Sequence, residues 1–233
     1  MKAPLKTQTV CPFNFATFFT ALLFFALSAA RASAQFNSGL IDFNYNAPAD
    51  GLPGYTRGPG AIGSPGDVWN NAAWGVSTTM KLAATDGSLT SAIWTLESGG
   101  GVGTTSLSGT YAGLVEASTA ITSAAITGLT PNRQYDLYLY EVYWGETISV
   151  NGVNFTTPGV RFGTINTLTD GNEYDVETVT ADSTGTLTFT PVSAQFGTPY
   201  ITSWQLTPVP EPSTLALLAV GASAVALRLR RKA

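Results

Sequence analysis

The chain has 233 residues, and its formal net charge of −4 hides an uneven distribution, because residues 35–207 carry four cations against fourteen acids, a net charge of −10. A body this acidic repels phosphate backbones, so we expect no nucleic-acid partner. The chain has no histidine and its single cysteine is Cys11, which excludes histidine-based triads, histidine-ligated zinc, thiol catalysis and disulfides from the body.

Residues 1–34 have the pattern of an export signal. Lys2 and Lys6 give a positive start, residues 13–30 are mostly apolar, and Ala32-Ser33-Ala34 is a small-x-small cleavage signature. This order is typical of a secretory signal peptide. We predict that residues 1–34 are a signal peptide and that the mature chain begins at Gln35; a retained anchor or a buried helix is the alternative.

Residues 35–207 favour an all-β domain. Short runs of alternating apolar and polar residues are separated by turn signals, and sustained helical periodicity is lacking. The length suffices for a two-sheet core without disulfides. We predict a single antiparallel β-sandwich with strands at Leu40–Tyr45, Leu89–Leu96, Gln134–Tyr143, Ile148–Val150, Val153–Phe155, Tyr174–Thr180, Gly185–Thr190 and Ile201–Leu206.

Three local patterns refine this prediction. Leu129, Pro131 and Tyr135 have the spacing of a tyrosine corner, in which the Tyr hydroxyl bonds back to the preceding loop. Asn151-Gly152 between two short strands predicts a two-residue hairpin turn. Residues 54–75 form a long Gly/Pro-rich stretch, of the kind that is often functional, and we expect Trp69 to pack under it.

A cluster of aromatic residues at 138–144 is the candidate binding site. Tyr138, Tyr140, Tyr143 and Trp144 could stack on sugar rings, while Glu141 and Glu146 accept hydroxyl bonds, a usual recipe for a glycan site. Tyrosine is also a favoured strand residue, so half-buried structural tyrosines are the alternative.

The acids at Glu173, Asp175 and Glu177 are the candidate catalytic group. On a strand they would share one face, and Glu-x-Asp-x-Glu resembles the catalytic strand of retaining glycosidases of the laminarinase and lichenase type. That resemblance implies Glu173 as nucleophile, Asp175 as its helper and Glu177 as acid/base. An exposed acidic face that protects a sheet edge is the interpretation we favour.

Metal binding is left open by the sequence. Loop aspartates could supply oxygen ligands to a structural calcium ion, although such residues commonly cap turns. No other cofactor is expected. The aspartates concerned are Asp42, Asp50, Asp67, Asp86 and Asp170.

The C-terminal segment, residues 208–233, contains three features in a fixed order. Pro210-Glu211-Pro212 comes first, then an apolar run that reaches about 22 Å counted from Ser213, short of the ~30 Å hydrocarbon core. A basic end follows that should hold the C-terminus in the cytoplasm. Its cations are Arg228, Arg230, Arg231 and Lys232.

This arrangement resembles the PEP-CTERM sorting signal. The resemblance implies recognition of Pro210, Glu211, Pro212 and the arginines by an exosortase, a membrane-embedded protease. It also implies an inner-membrane-anchored precursor, loss of the transmembrane helix, and delivery to the cell surface or exopolysaccharide matrix of a Gram-negative bacterium.

The body has a looser resemblance. The Asp42-Phe43 strand followed by Gly66-Asp67-Val68-Trp69-Asn70 resembles the jelly-roll, galactose-binding-like bodies of other PEP-CTERM proteins. Taken together, these patterns predict an exported, non-catalytic protein with a structural or carbohydrate-binding role in a biofilm matrix. A glycosidase is the alternative.

Overall fold

The computed structural model describes residues 39–46, 58–104, 106–108, 110–115, 117–140, 146–156, 162–194 and 197–210. The chain divides into a unit of Met1–Gln35 and a unit of Phe36–Ala233, and every described residue belongs to the second. The predicted signal peptide and the predicted membrane helix lie outside the described residues. Within these ranges no helix is both long and apolar enough to span a membrane.

The described part is almost entirely β-structure, with one four-residue helix. The elements in chain order are β1 (Ile41–Asn46), β2 (Trp69–Ala73), β3 (Thr78–Ala83), β4 (Leu89–Thr104), β5 (Ser106–Ser108), α1 (Ala112–Val115), β6 (Ala117–Thr127), β7 (Gln134–Tyr140), β8 (Thr147–Val150), β9 (Val153–Thr156), β10 (Phe162–Thr164), β11 (Asp175–Thr180), β12 (Leu187–Ser193), β13 (Tyr200–Ile201) and β14 (Ser203–Pro208).

These strands form two large sheets and one small pair. The first sheet has five strands in the order β11-β7-β14-β1-β2, and only the β1–β2 pairing is parallel. The second has the order β3-β4-β6-β12-β8-β9, with β13 also paired to β6, and it is antiparallel throughout. β5 and β10 form a separate parallel pair. The predicted sandwich-like all-β body is therefore confirmed.

The inner faces of the two sheets meet in an aromatic core. Phe43 on β1 stacks on Trp204 of β14 at 5.2 Å between ring centroids, with 11° between the ring planes. Trp94 on β4 lies 5.3 Å from Phe43 and 5.2 Å from Phe189 of β12. Both tryptophans are fully buried. Each such aromatic pair adds roughly 0.5–1.5 kcal/mol beyond the area it buries, so this cluster ties the sheets together.

Two predicted local motifs are confirmed by their hydrogen bonds and dihedral angles. The Tyr135 hydroxyl accepts the Thr130 backbone N–H at 3.0 Å, which is the tyrosine corner. Asn151 and Gly152 have φ of 48° and 89° and connect β8 to β9. Both central residues of a type I′ turn require positive φ, which Asn and Gly tolerate.

Several strands differ from the prediction. Trp69–Ala73, expected to lie in a loop, is strand β2, and β3 and β6 were not predicted at all. Asn70 explains how β2 is held: its side-chain amide donates to the carbonyls of Asp42 and Ala83 at 2.9 and 2.8 Å, and its carbonyl accepts the Ala83 N–H at 2.8 Å. This one side chain joins the two sheets at their edge.

Candidate functional site

The outer face of the five-stranded sheet is polar and yet buried. Asp42 and Asn44 on β1 alternate with the core residues, so they point away from the core. Ser203 and Gln205 on β14 are their register partners, and all four side chains are at most 1 % exposed. Other parts of the chain must therefore cover this face.

Residues 58–68, which we call the cover loop, lie over one part of it. Trp69 is buried, and its indole N–H donates to the Gly58 carbonyl at 2.9 Å, which confirms that Trp69 packs under the long loop. Gln205 Nε2 donates to the Ile62 carbonyl at 3.0 Å, and Gln205 Oε1 accepts the Ile62 N–H at 3.3 Å. Gln205 thus holds the cover loop by both of its side-chain heteroatoms.

Tyr140 and Asp42 complete this buried network. The Tyr140 hydroxyl donates to Gln205 Oε1 at 2.6 Å and accepts the Ala61 N–H at 2.5 Å. The second hydrogen of Gln205 Nε2 goes to Asp42 Oδ1 at 2.9 Å. All four hydrogen-bonding positions of the Gln205 amide are therefore used, which is the condition for burying such a group cheaply.

The small helix α1 covers the neighbouring part of the face. Asn44 Nδ2 donates to the Gly113 carbonyl at 3.0 Å, and Ser203 Oγ donates to the Leu114 carbonyl at 2.5 Å. Leu114 is fully buried in a second apolar cluster, together with Trp69, Tyr140 and Ile165. The carbonyls of the helix end thus obtain partners from the sheet below.

Two buried carboxyl groups are perturbed by this packing. Burial raises the pKa of Asp42 from 3.8 to about 8, against the hydrogen bond from Gln205, and Asp42 Oδ2 has no hydrogen-bond partner. Burial also raises the pKa of Glu146 from 4.5 to about 7, although Glu146 Oε2 accepts the Tyr200 N–H at 2.7 Å. Desolvation disfavours the charged form of each group, so Asp42 is mainly a neutral acid at pH 7.

Next to this network lie three tyrosines, Tyr138, Tyr140 and Tyr174, which we call the aromatic patch. The Tyr174 ring centroid is 5.8 Å from each of the other two. Tyr138 and Tyr174 are half-buried, whereas Tyr140 is completely buried. Burial, and then the charge of Asp136, raise the pKa of Tyr138, with Tyr174 and Asp170 as further causes. Asp170 and then Glu173 also raise the pKa of Tyr174 after burial, so three carboxyl groups, those of Asp136, Asp170 and Glu173, lie near the pair.

The predicted glycan residues are brought together only in part. Tyr138 and Tyr140 share one face of β7, as the alternation predicted, but Tyr140 has no exposed ring surface. Tyr143, Trp144 and Glu141 lie outside the described residues. Tyr174, predicted only as the first residue of a strand, contributes the second open ring. Its distance from Tyr138 depends on the pairing of β11 with β7, which the local sequence does not predict.

The predicted row of three acids on one strand is wrong in one member. β11 begins at Asp175, and Glu173 lies in the preceding turn, where Oε2 accepts the Thr169 N–H at 2.9 Å and Oε1 accepts the Asn172 side chain. Asp175 Oδ2 accepts the Thr156 N–H at 2.8 Å and so links β11 to the end of β9. Glu177 is exposed on the edge strand, as the favoured interpretation expected.

Three of the aspartates considered for calcium, Asp42, Asp67 and Asp86, make other contacts. Asp67 and Asp86 accept backbone N–H groups of Ser64 and Ser88 at 2.7 and 2.8 Å, as turn-capping residues do. Asp50 lies outside the described ranges. Among the residues the structure describes, no group of three or more His, Cys, Asp or Glu side chains could hold a metal ion.

Comparison with known proteins adds one clear match. Residues 208–232 match the PEP-CTERM protein-sorting motif. No curated protein sequence matches the chain. The crystal structure of protein YXIM from Bacillus subtilis aligns with a TM-score of 0.40 and 11% identity, covering 73% of this chain and 40% of that one. The chain thus spans well under half of that protein, and a similarity this weak identifies neither fold nor function.

The matched motif begins where the folded body ends. β14 ends at Pro208, and Pro210, the first predicted recognition residue, is exposed directly after it. Glu211, Pro212, Arg228, Arg230 and Arg231 lie outside the described residues. The chain therefore carries a PEP-CTERM signal at its C-terminal end, and it is an exported protein whose membrane-anchored precursor is sorted by exosortase for display at the cell surface.

Proposed function

We propose that the body is a non-catalytic carbohydrate-binding domain of the cell surface or exopolysaccharide matrix, and that the aromatic patch is its sugar site. The observation that carries this proposal is the half-buried pair of Tyr138 and Tyr174 with Asp136 and Asp170 beside it. Ring faces pack on the apolar faces of sugars, and carboxylates accept their hydroxyls. Sorting to the cell surface would bring this site to the polysaccharide.

The acids near the patch support a non-catalytic role. A retaining glycosidase needs two carboxyl groups about 5–5.5 Å apart that can reach the glycosidic bond. Both oxygens of Glu173 accept hydrogen bonds within its own turn, and Asp175 is bonded to the backbone of Thr156. Glycoside hydrolysis with Glu173, Asp175 and Glu177 is the second candidate. It would require Glu173 to leave its turn and give up these hydrogen bonds.

The type of β-sandwich and the class of producing bacterium are part of the same proposal. A jelly-roll, galactose-binding-like body is supported by the Asp42-Phe43 strand and by Trp69 beneath the cover loop. A Gram-negative producer, with the C-terminal arginines in the cytoplasm before processing, follows from the resemblance of the sorting signal.

The test is a glycan array probed with the full chain in detergent, combined with a reducing-end assay. Tyr138→Ala and Tyr174→Ala should each weaken binding at least tenfold, because stacking surface is removed. Tyr138→Phe, which keeps the ring, should bind as the wild type does, and Val192→Ala on the opposite sheet is the remote control.

Two results would contradict the proposal. Release of reducing ends that Glu173→Gln abolishes would make the protein a glycosidase. Absence of both binding and hydrolysis would leave a purely structural role in the matrix.

A further inference from the structure

The sorting motif begins inside the folded body. Its match starts at residue 208, and Pro208 is the last residue of β14, where it is the register partner of Tyr135 on β7. The next residue is still held by the sheet, because Val209 donates its backbone N–H to the Gln134 carbonyl at 3.0 Å. Pro210 is exposed directly after it. The body therefore passes into the predicted recognition residues without an intervening linker.

Two segments of the body surround the point at which the chain leaves the sheet. β7 begins and β11 ends there, with Gln134 and Thr180 as register partners. We call residues 130–134 and 180–184 the exit end of the sandwich. Its exposed residues are Asn132, Gln134, Thr180, Asp182, Ser183 and Thr184.

Hydrogen bonds hold the two segments of the exit end to each other. Asn132 donates its backbone N–H to the Asp182 carbonyl at 3.1 Å, and Ala181 donates to the Arg133 carbonyl at 2.9 Å. The Asp182 carboxylate in turn accepts the Thr184 N–H at 2.8 Å. A surface fixed in this way loses little conformational entropy when a partner binds, so the exit end is pre-organised for docking.

The distance from the exit end to the motif is shorter than the thickness of one protein layer. Consecutive Cα atoms are about 3.8 Å apart, so Pro210 Cα lies within roughly 9 Å of the Gln134 carbonyl oxygen. A single helix with its side chains is about 10–12 Å across. A protease that enclosed Pro210 with even one helix on the side of the body would fill this gap and touch the exit end.

The chemistry of the exit end favours a protein over a lipid surface as the partner. All of its exposed side chains are polar, and the body around it has a net charge of −10. Peripheral binding to lipid needs apolar side chains that enter the bilayer or an excess of basic residues. The exposed side chains of the exit end supply neither, whereas their hydroxyl, amide and carboxylate groups suit a polar protein interface.

We propose that the exit end is a docking surface for exosortase, which recognises the sorting motif together with the folded body that carries it. Contacts at the exit end and contacts at the motif form in one encounter and reinforce each other. Both depend on β14 being paired with β7, so a folded body is processed faster than an unfolded one. This inference does not depend on the sugar site proposed above.

The first experiment is site-directed cross-linking of the full chain in membranes that carry the exosortase of the producing cell. The single cysteine, Cys11, lies in the predicted signal peptide, so Thr180→Cys gives the mature chain one thiol for a photoactivatable cross-linker. Thr190→Cys, exposed on β12 of the other sheet, is the matched control. We expect adducts with exosortase to be at least fivefold more abundant from Thr180→Cys. Equal yields, or adducts with lipid alone, would overturn the inference.

The second experiment follows the conversion of the precursor to its processed form by pulse-chase labelling. Gln134→Tyr/Thr180→Tyr enlarges two exposed side chains of the exit end with a residue that strands favour. Thr79→Tyr/Thr190→Tyr makes the same change at exposed strand positions of the other sheet. Thermal unfolding midpoints check that both variants fold. We expect conversion to slow at least threefold in the exit-end variant alone, and equal rates in the two variants would overturn the inference.

An insertion between Val209 and Pro210 distinguishes docking from simple obstruction by the body. Gly-Ser-Gly-Ser-Gly-Ser-Pro-Val keeps the two residues that precede Pro210 and adds roughly 15 Å of flexible chain. Docking predicts that this insertion slows conversion at least threefold, because the two sets of contacts are uncoupled, and that Gln134→Tyr/Thr180→Tyr then slows it no further. Conversion at the wild-type rate or faster would mean that the body is irrelevant or in the way, and either result overturns the inference.

Discussion

Replacing Asp42 by asparagine should remove a large part of the pH dependence of stability between pH 5 and 8. Burial holds the pKa of Asp42 at about 8 in the folded chain, against 3.8 ordinarily. Between these values the folded state keeps a proton that the unfolded state releases, so the free energy of unfolding falls by about 1.4 kcal/mol per pH unit. The stabilisation that the protonated Asp42 contributes is fully present below pH 3.8 and is lost as the pH rises through about 8.

The size of the effect follows from this slope. From pH 5 to pH 8 Asp42 alone should lower the free energy of unfolding by roughly 3–4 kcal/mol. Asparagine has nearly the same shape, can accept the bond from Gln205 Nε2, and cannot ionise. Asp42→Asn should therefore be more stable than the wild type at pH 8, with little difference at pH 5.

The assay is urea unfolding of the full chain in detergent at half-unit steps of pH. Glu146, with its pKa raised to about 7 by burial, contributes a similar slope below pH 7, which should persist in Asp42→Asn. Asp86→Asn is the matched control, since hydrogen bonds from Ser88 lower the pKa of that exposed carboxyl and its titration falls well below this range. Equal slopes for the wild type and Asp42→Asn above pH 7 would refute the reasoning.

Three further substitutions test the packing. Gly60→Ala should destabilise the body by roughly 1–3 kcal/mol in urea unfolding, because a Cβ there would lie 2.7 Å from the Tyr140 hydroxyl and closer still to Gln205. Gly99→Ala is the control and should change little, since its Cβ would meet only ordinary contacts at 3.5 Å. Tyr135→Phe should cost about 1–3 kcal/mol in thermal unfolding by leaving the Thr130 N–H without its phenol partner, and an equal loss in Tyr138→Phe would contradict this account. Asn70→Ala, which removes two hydrogen bonds between the sheets and one within the five-stranded sheet, should cost at least as much and should increase hydrogen exchange at the Ala83 amide.

Features set by neighbouring residues could be predicted from the sequence. The hairpin at Asn151 and the tyrosine corner at Tyr135 depend on a few consecutive positions. β7 was predictable because Leu137 and Leu139 alternate with polar or aromatic residues, and the face shared by Tyr138 and Tyr140 followed from it. Period-2 patterns identify such strands reliably when one face is apolar.

Features set by distant partners could not be predicted. β2 pairs with β1, and its Asn70 side chain bonds to residues of β1 and β3, all of them distant in sequence. The residues of β2 are themselves too polar to predict a strand. Asp42 and Gln205 have the alternation of solvent-facing residues, yet the cover loop buries them. The burial of Tyr140 has the same non-local cause, which is why Tyr138 but not Tyr140 presents an open ring among the described residues of the predicted glycan platform.

The position of β14 links the folding of the body to the moment of export. β14 lies in the centre of its sheet, paired with β7 on one side and with β1 on the other, and Val209 still donates to the Gln134 carbonyl at 3.0 Å. A chain that leaves the cell N-terminus first delivers β1 and β7 long before their common partner. The five-stranded sheet is therefore incomplete until residues 203–208 have crossed, and the sorting motif follows directly after them in the chain. We therefore expect completion of the fold and arrival of the sorting motif to coincide during export.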